Sequence, residues 1–155
     1  RSMGRSAGGV RAITLDKDDE VVSMELDSTG ERELLVMTKK GFGKRTSLDE
    51  YRLQTRGGKG VSTYDKTKFS KTGELVGATL VSKDDEIMLI NSNGVIIRIR
   101  ANEISKSGRT TQGVKIMKVE SGDEIVSFAK VLDEDDASKP MTKKEKADSE
   151  QMTLV

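Results

Sequence analysis

A chain of 155 residues in which 34% are hydrophobic and another 34% charged has little to spare for a core, so Val, Ile, Leu and Met must build what it buries. The absence of Cys and His removes disulfides, thiolate metal sites and the commonest general base, and leaves any catalysis to Asp, Glu, Lys, Ser, Thr or Tyr. The net charge of +1 is uneven: residues 133–155 hold seven acidic and four basic side chains, so residues 1–132 hold 23 Lys and Arg against 19 Asp and Glu.

In chain order, residues 1–18 read as the end of one repeat unit and contain Met3-Gly4-Arg5-Ser6-Ala7-Gly8-Gly9-Val10-Arg11. A full unit spans 19–72. It opens on Asp19-Glu20-Val21-Val22-Ser23-Met24, continues through Leu34-Leu35-Val36-Met37 and turns at Lys40-Gly41. It then reaches a short helical turn at Leu48-Asp49-Glu50-Tyr51 and closes on Gln54-Thr55-Arg56-Gly57-Gly58-Lys59-Gly60-Val61. A second unit, 73–122, repeats these blocks as Gly73-Glu74-Leu75-Val76-Gly77-Ala78, Ile87-Met88-Leu89-Ile90, a turn at Asn93-Gly94, Ala101-Asn102-Glu103-Ile104, and Ser107-Gly108-Arg109-Thr110-Thr111-Gln112-Gly113-Val114-Lys115. Residues 123–132 start the pattern again with Asp123-Glu124-Ile125-Val126-Ser127-Phe128 and read as a terminal strand. Residues 133–155 carry the only proline, Pro140, and few apolar side chains, so a disordered tail is expected there.

Several independent blocks keep one spacing, and Arg45 falls opposite Arg98 in it. Each unit is written in short runs rich in Val, Ile, Leu and Thr, broken by Gly, Asn, Asp and Ser, which is strand grammar. Lys40-Gly41 and Asn93-Gly94 between two such runs predict hairpins, because a tight turn there needs positive φ. Four short strands per unit of about 50 residues is the pattern of a propeller blade. The expected fold class is all-β, a fragment of a β-propeller or β-pinwheel built from four-stranded blades. Two full units cannot close a ring, so a longer protein, or packing with further copies, is expected to complete it.

The recurring Arg-x-x-x-Gly-Val element carries the functional expectation. Gly9, Gly60 and Gly113 permit a tight turn whose N–H groups can face an anion, and Gly41 and Gly94 do the same at the hairpins. Arg5, Arg56 and Arg109 offer planar forks to phosphate oxygens, with Lys59, Arg11, Lys115 and Lys118 nearby. Repeated round a curved body, these groups would bend duplex DNA through its backbone. Lys44 and Arg45 beside the first hairpin, with Arg98 and Arg100 beside the second, form a secondary basic set that edge-strand solubility explains as well. With only Phe42, Phe69, Phe128, Tyr51 and Tyr64, the chain lacks a repeated stacking platform for single strands, so duplex is the expected partner.

Other motifs fail on spacing. Gly41-Phe42-Gly43-Lys44-Arg45-Thr46 has Arg where a nucleotide-binding loop needs Ser or Thr. Asp16-Lys17-Asp18-Asp19-Glu20 and Asp84-Asp85-Glu86 lack the Gly and distal Glu of a calcium loop. Tyr51 stands where the next unit has Ile104, which marks a packing slot. No metal or catalytic constellation is expected, and no apolar run approaches the ~20 residues of a membrane span.

The ordered stretches 3–11, 41–46, 56–61 and 108–114 resemble the C-terminal region of the DNA gyrase A subunit, with Met3 to about Leu132 covered. The resemblance implies a six-bladed β-pinwheel with strands exchanged between neighbouring blades, of which this chain holds the last blades and the variable tail. It implies a non-catalytic segment that wraps duplex DNA and supports ATP-dependent negative supercoiling by an A2B2 enzyme, in the bacterial cytoplasm and associated with the nucleoid. Partners would be duplex DNA, the remaining blades of the gyrase A subunit, and the gyrase B subunit. ATP, Mg and the cleavage tyrosine would act elsewhere in the enzyme, and this chain would need no cofactor. The family's wrapping signature resembles Gln-Arg-Arg-Gly-Gly-Lys-Gly in the first blade, expected upstream of Arg1; here Gln54-Thr55-Arg56-Gly57-Gly58-Lys59-Gly60 is a partial copy with Thr for the second basic residue. The alternatives are the equivalent segment of topoisomerase IV, in its own A-type subunit, and a protein-interaction propeller fragment.

Overall fold

The computed structural model describes residues 2–27 and 32–131; the expected tail at 133–155 lies outside them. Seven strands run β1 Glu33–Thr38, β2 Phe42–Ser47, β3 Leu75–Val81, β4 Glu86–Asn91, β5 Ile96–Arg100, β6 Val114–Lys115 and β7 Ile125–Val131. They form two sheets, of order β3-β1-β2-β6 and β5-β4-β7.

Each sheet is built on a hairpin whose turn the sequence encodes. Gly41 and Gly94 take φ of 79° and 80°, a region that costs an L-residue about 1–2 kcal/mol. Their N–H groups donate to Thr38 and Asn91, both at 3.0 Å. The helical turns expected after each hairpin form as single 3-10 turns at Leu48–Glu50 and Ala101–Glu103.

The third strand of each sheet comes from the following repeat unit. β3 pairs antiparallel with β1 (Glu33 opposite Val81), and β7 pairs antiparallel with β4 (Glu86 opposite Val131). Both ladders shift register at the same place in the repeat, between Met37 and Thr38 and between Ile90 and Asn91. The first sheet also takes its short β6 from the unit 73–122, so each sheet combines strands of two sequence units, which is the strand exchange of a pinwheel. The exchange also explains a departure. Residues 19–24 match β3 and β7 in sequence, yet they form no strand. The hairpin such a strand would join is not present among the described residues. Val21, Val22 and Met24 stay exposed, and the Ser23 hydroxyl meets the edge of β3, accepting from the Ala78 N–H at 3.1 Å.

One apolar cluster joins the sheets: Leu35, Met37, Val81, Ile87, Leu89, Ala101, Ile104, Met117 and Ile125. Burying a Leu or Ile of this kind contributes about 1.5–3 kcal/mol, so a handful of aliphatic side chains suffices despite the lack of aromatics. The sheets differ at one margin. The outer edge of β2 is taken by β6 (Phe42 opposite Lys115, Gly43 opposite Val114), whereas β5 carries no partner on its outer edge among the described residues.

Candidate nucleic-acid interface

The β2–β6 junction shows how a Gly-rich element seats on the preceding hairpin. The N–H groups of Ile116 and Met117 both donate to the Gly41 carbonyl, at 2.8 and 3.2 Å. The fit admits no side chain: a Cβ on Gly113 would lie 2.4 Å from the Gly43 oxygen.

The three Gly-rich elements touch in series. Residues 11–14 run beside the second element: the Gly57 N–H donates to Ala12 at 2.8 Å, the Thr14 N–H to Gly58 at 2.9 Å, and the Thr14 hydroxyl to Gly57 at 2.6 Å. Residues 62–64 run beside the third. Arg109 donates from its guanidinium to the Ser62 carbonyl, and the Tyr64 hydroxyl donates to the Gln112 carbonyl. Each loop thus leans on the extended segment that follows the previous loop's Gly-Val, which links the three in series.

The expected contacts divide by environment. Arg5, Arg11 and Arg56 are exposed, and their side chains have no hydrogen bond or ion pair to another described residue. Lys59 is exposed and pairs with Asp16 at 2.7 Å, which holds the Asp16 carboxyl below its usual range and raises the Lys59 ammonium. A pair this exposed is weak and open to exchange for a phosphate. Lys115 is exposed and lies 5.3 Å above the Phe42 ring. Arg109 is half-buried, its backbone N–H donating to the Glu50 carboxylate at 2.7 Å. Arg98 and Arg100 are exposed but share Glu86, the latter at 3.8 Å, and no hydrogen bond or ion pair links β5 to the three loops among the described residues.

Lys44 and Arg45, expected among the supporting contacts, are corrected by the structure. Lys44 is 0% exposed and Arg45 6%. The Lys44 ammonium donates to the carbonyls of Gly108 at 3.0 Å and Arg109 at 2.5 Å. The Arg45 guanidinium donates to the Ile104 carbonyl at 2.8 Å and pairs with Glu33, which also holds Lys106 at 2.9 Å. Burial pushes the Glu33 carboxyl up, but Lys106 and Arg45 outweigh it and hold it below the usual value. A phosphate has no access to either cation. In the equivalent pair of the next unit Glu86 is half-buried and Arg98 exposed, because no loop covers β5 among the described residues.

Two residues beside these loops were not singled out in the sequence. Arg52 is exposed, with its side chain unpaired among the described residues, four positions before Arg56 in the segment leading to the second loop; the Arg-x-x-x-Arg spacing was the available signal. Tyr64, read only as one of a few scattered aromatics, is 3% exposed and joins two loops. Among the described residues no group of three or more His, Cys, Asp or Glu could hold a metal ion, and no helix is long and apolar enough to cross a membrane.

Comparison with known proteins gives a consistent family. The family described as DNA gyrase C-terminal domain, beta-propeller, matches residues 1–26, 32–82 and 85–131. The DNA gyrase A subunit of Staphylococcus epidermidis is 44% identical over 137 residues, 88% of this chain and 15% of that protein. The Mycolicibacterium smegmatis counterpart is 41% identical over 144 residues, 92% of this chain and 16% of that protein. The chain therefore spans about 15–16% of the length of the curated relatives it matches. Among solved structures, a DNA gyrase A C-terminal domain superposes with a TM-score of 0.61 at 31% identity, over 64% of this chain and 33% of that one. The C-terminal domain of a DNA topoisomerase IV superposes at 0.76 with 26% identity, over 93% of this chain and 43% of that one.

Proposed function

We propose that this chain, which belongs to the DNA gyrase C-terminal domain family of β-propellers, is a segment of a gyrase A subunit that holds duplex DNA by its backbone and performs no chemistry of its own. The observation that carries this reading is the serial linkage of three Gly-rich loops that carry or flank the exposed cations Arg5, Arg11, Arg52, Arg56, Lys59 and Lys115. Arg5, Arg11, Arg52 and Arg56 are exposed and have no internal partner among the described residues, so they can meet phosphates and release their counterions without first breaking a bond inside the protein, whereas Lys59 must first exchange its exposed pair with Asp16. Successive loops a repeat apart supply contacts along the duplex, and backbone contacts of this kind read shape and flexibility rather than sequence. Arg98 and Arg100 play a lesser part, because Glu86 must be displaced before they meet a phosphate.

In the parent enzyme the segment would lie beside the other blades of the gyrase A subunit. It would act with the gyrase B subunit, presenting a wrapped duplex for strand passage during ATP-dependent negative supercoiling in the bacterial cytoplasm, at the nucleoid. ATP and Mg would act elsewhere in that enzyme. The closer superposition on topoisomerase IV favours the equivalent segment of that enzyme as a second reading, whereas the 44% identity to a gyrase A subunit supports the first.

The test is a binding titration against a duplex of roughly 40 base pairs and a single strand of the same length over a salt series. With the exposed cations of the three loops engaged, duplex is preferred and log affinity falls against log salt with a slope of about −5. Equal affinity for the single strand, or a slope near zero, would overturn the reading.

A further inference from the structure

We propose that Lys44 is a positioning residue which, with Tyr64, clamps the third Gly-rich loop from inside the fold and so fixes its spacing from the second loop along a bound duplex. The inference rests on the reading of these loops as the duplex-holding surface.

Lys44 leaves β2 toward the interior, and its ammonium takes the carbonyls of Gly108 and Arg109 while lying 4.9 Å from the Tyr64 ring centre. Tyr64 continues the clamp by donating to Gln112, and the Thr46 hydroxyl adds a bond to the Ser107 carbonyl at 3.1 Å. Four carbonyls of the stretch 107–112 are thereby held by three side chains on two segments, Lys44 and Thr46 on β2 and Tyr64 after the second loop. Tyr64 also sits in the extended segment after the second loop, so the clamp sets loop-to-loop distance as well as loop shape.

The charge at Lys44 is not needed to fold the hairpin. The same position of the second hairpin is Ile97, and β4–β5 pair in the same antiparallel way. Burying an ammonium opposes folding, while taking it away leaves the Gly108 and Arg109 carbonyls without that donor, so the two effects offset one another. Burial is the largest influence on Lys44; Glu50 partly offsets it, Arg109 adds to it, and the ammonium is lowered to about 8 from 10.5. Between those values the unfolded chain holds a proton that the folded chain has shed, so stability rises with pH across this window and the full penalty applies below it.

Lys44→Ile and Tyr64→Phe test the inference through three readings: thermal unfolding from pH 7 to 10.5, salt-dependent duplex affinity, and bending of an end-labelled duplex followed by energy transfer. Lys44→Ile trades relief of the buried charge against two orphaned carbonyls, so only a small change in the unfolding midpoint at pH 7 is expected, and it removes the gain in stability that Lys44 contributes between about pH 8 and 10.5. It is expected to bind duplex about fivefold more weakly, with a salt slope shallower by about 1 and a smaller bend. Tyr64→Phe keeps the ring under the ammonium and shows a smaller loss in the same direction. A Lys44→Ile chain that binds and bends duplex as the native chain does overturns the proposal. If Lys44→Ile fails to fold, native-like bending by Tyr64→Phe overturns it instead. A native chain that neither binds nor bends duplex removes the proposed function, and this inference with it.

Discussion

Reversing Arg52 and Arg56 together to Glu lowers duplex affinity about a hundredfold near 0.1 M salt and makes the salt slope shallower by about 2. Both side chains are exposed and neither has a partner among the described residues, so their loss leaves no orphaned carboxylate behind. The fold is expected to keep its stability, because exposed substitutions away from caps and cores usually stay within about 0.5 kcal/mol. At each position the lost phosphate contact and the added repulsion are together worth about 1–2 kcal/mol at this salt, so the two positions give about 2–4 kcal/mol. Reversal of Arg98 and Arg100 is the matched control. Those side chains already share Glu86, so the same change of four charges costs less than tenfold. Titrations of both double variants check this; equal losses would mean that net charge, not the loop surface, governs binding.

The second large effect is on the fold. Gly41→Ala costs about 3–5 kcal/mol, a large part of the 5–15 kcal/mol that holds a typical domain together. Gly41 has φ of 79°, and a Cβ there would lie 2.1 Å from the Met117 oxygen and 3.1 Å from its carbonyl carbon. The obstacle is backbone in the very segment that donates to the Gly41 carbonyl, so relief requires unseating β6 and the third loop. Gly9→Ala isolates the conformational part: its φ is 72° but nothing lies within 4 Å, so about 1–2 kcal/mol is expected. Urea unfolding distinguishes the two. A midpoint for Gly41→Ala no lower than that of Gly9→Ala would mean the junction yields more easily than its geometry implies.

The hairpins and the helical turns were legible because each is a local signal. Gly41 and Gly94 sit at turns that need positive φ, and the apolar runs Leu34–Met37 and Ile87–Ile90 carry strand composition. The fate of Lys44 and Arg45 was not legible in that way. Adjacent cations after a turn read as solvent-facing, and what buries them is chain some sixty positions on, at Ile104–Arg109. Gly43 was the one local hint. A glycine inside a strand marks a close approach, and a Cβ there would meet Met37 and Ile116 at 2.4 and 2.5 Å. Residues 19–24 illustrate the same limit from the other side: their composition is that of β3 and β7, but a strand exists only where a hairpin receives it.

The measurement that tests the central claim most directly is an amide chemical-shift map of the isotopically labelled chain titrated with duplex. A duplex held by the three loops perturbs 4–11, 52–60 and 109–115 most, with β4 and β5 little changed. Shifts centred on β3 and β7, or spread evenly over both sheets, would contradict that mode of binding.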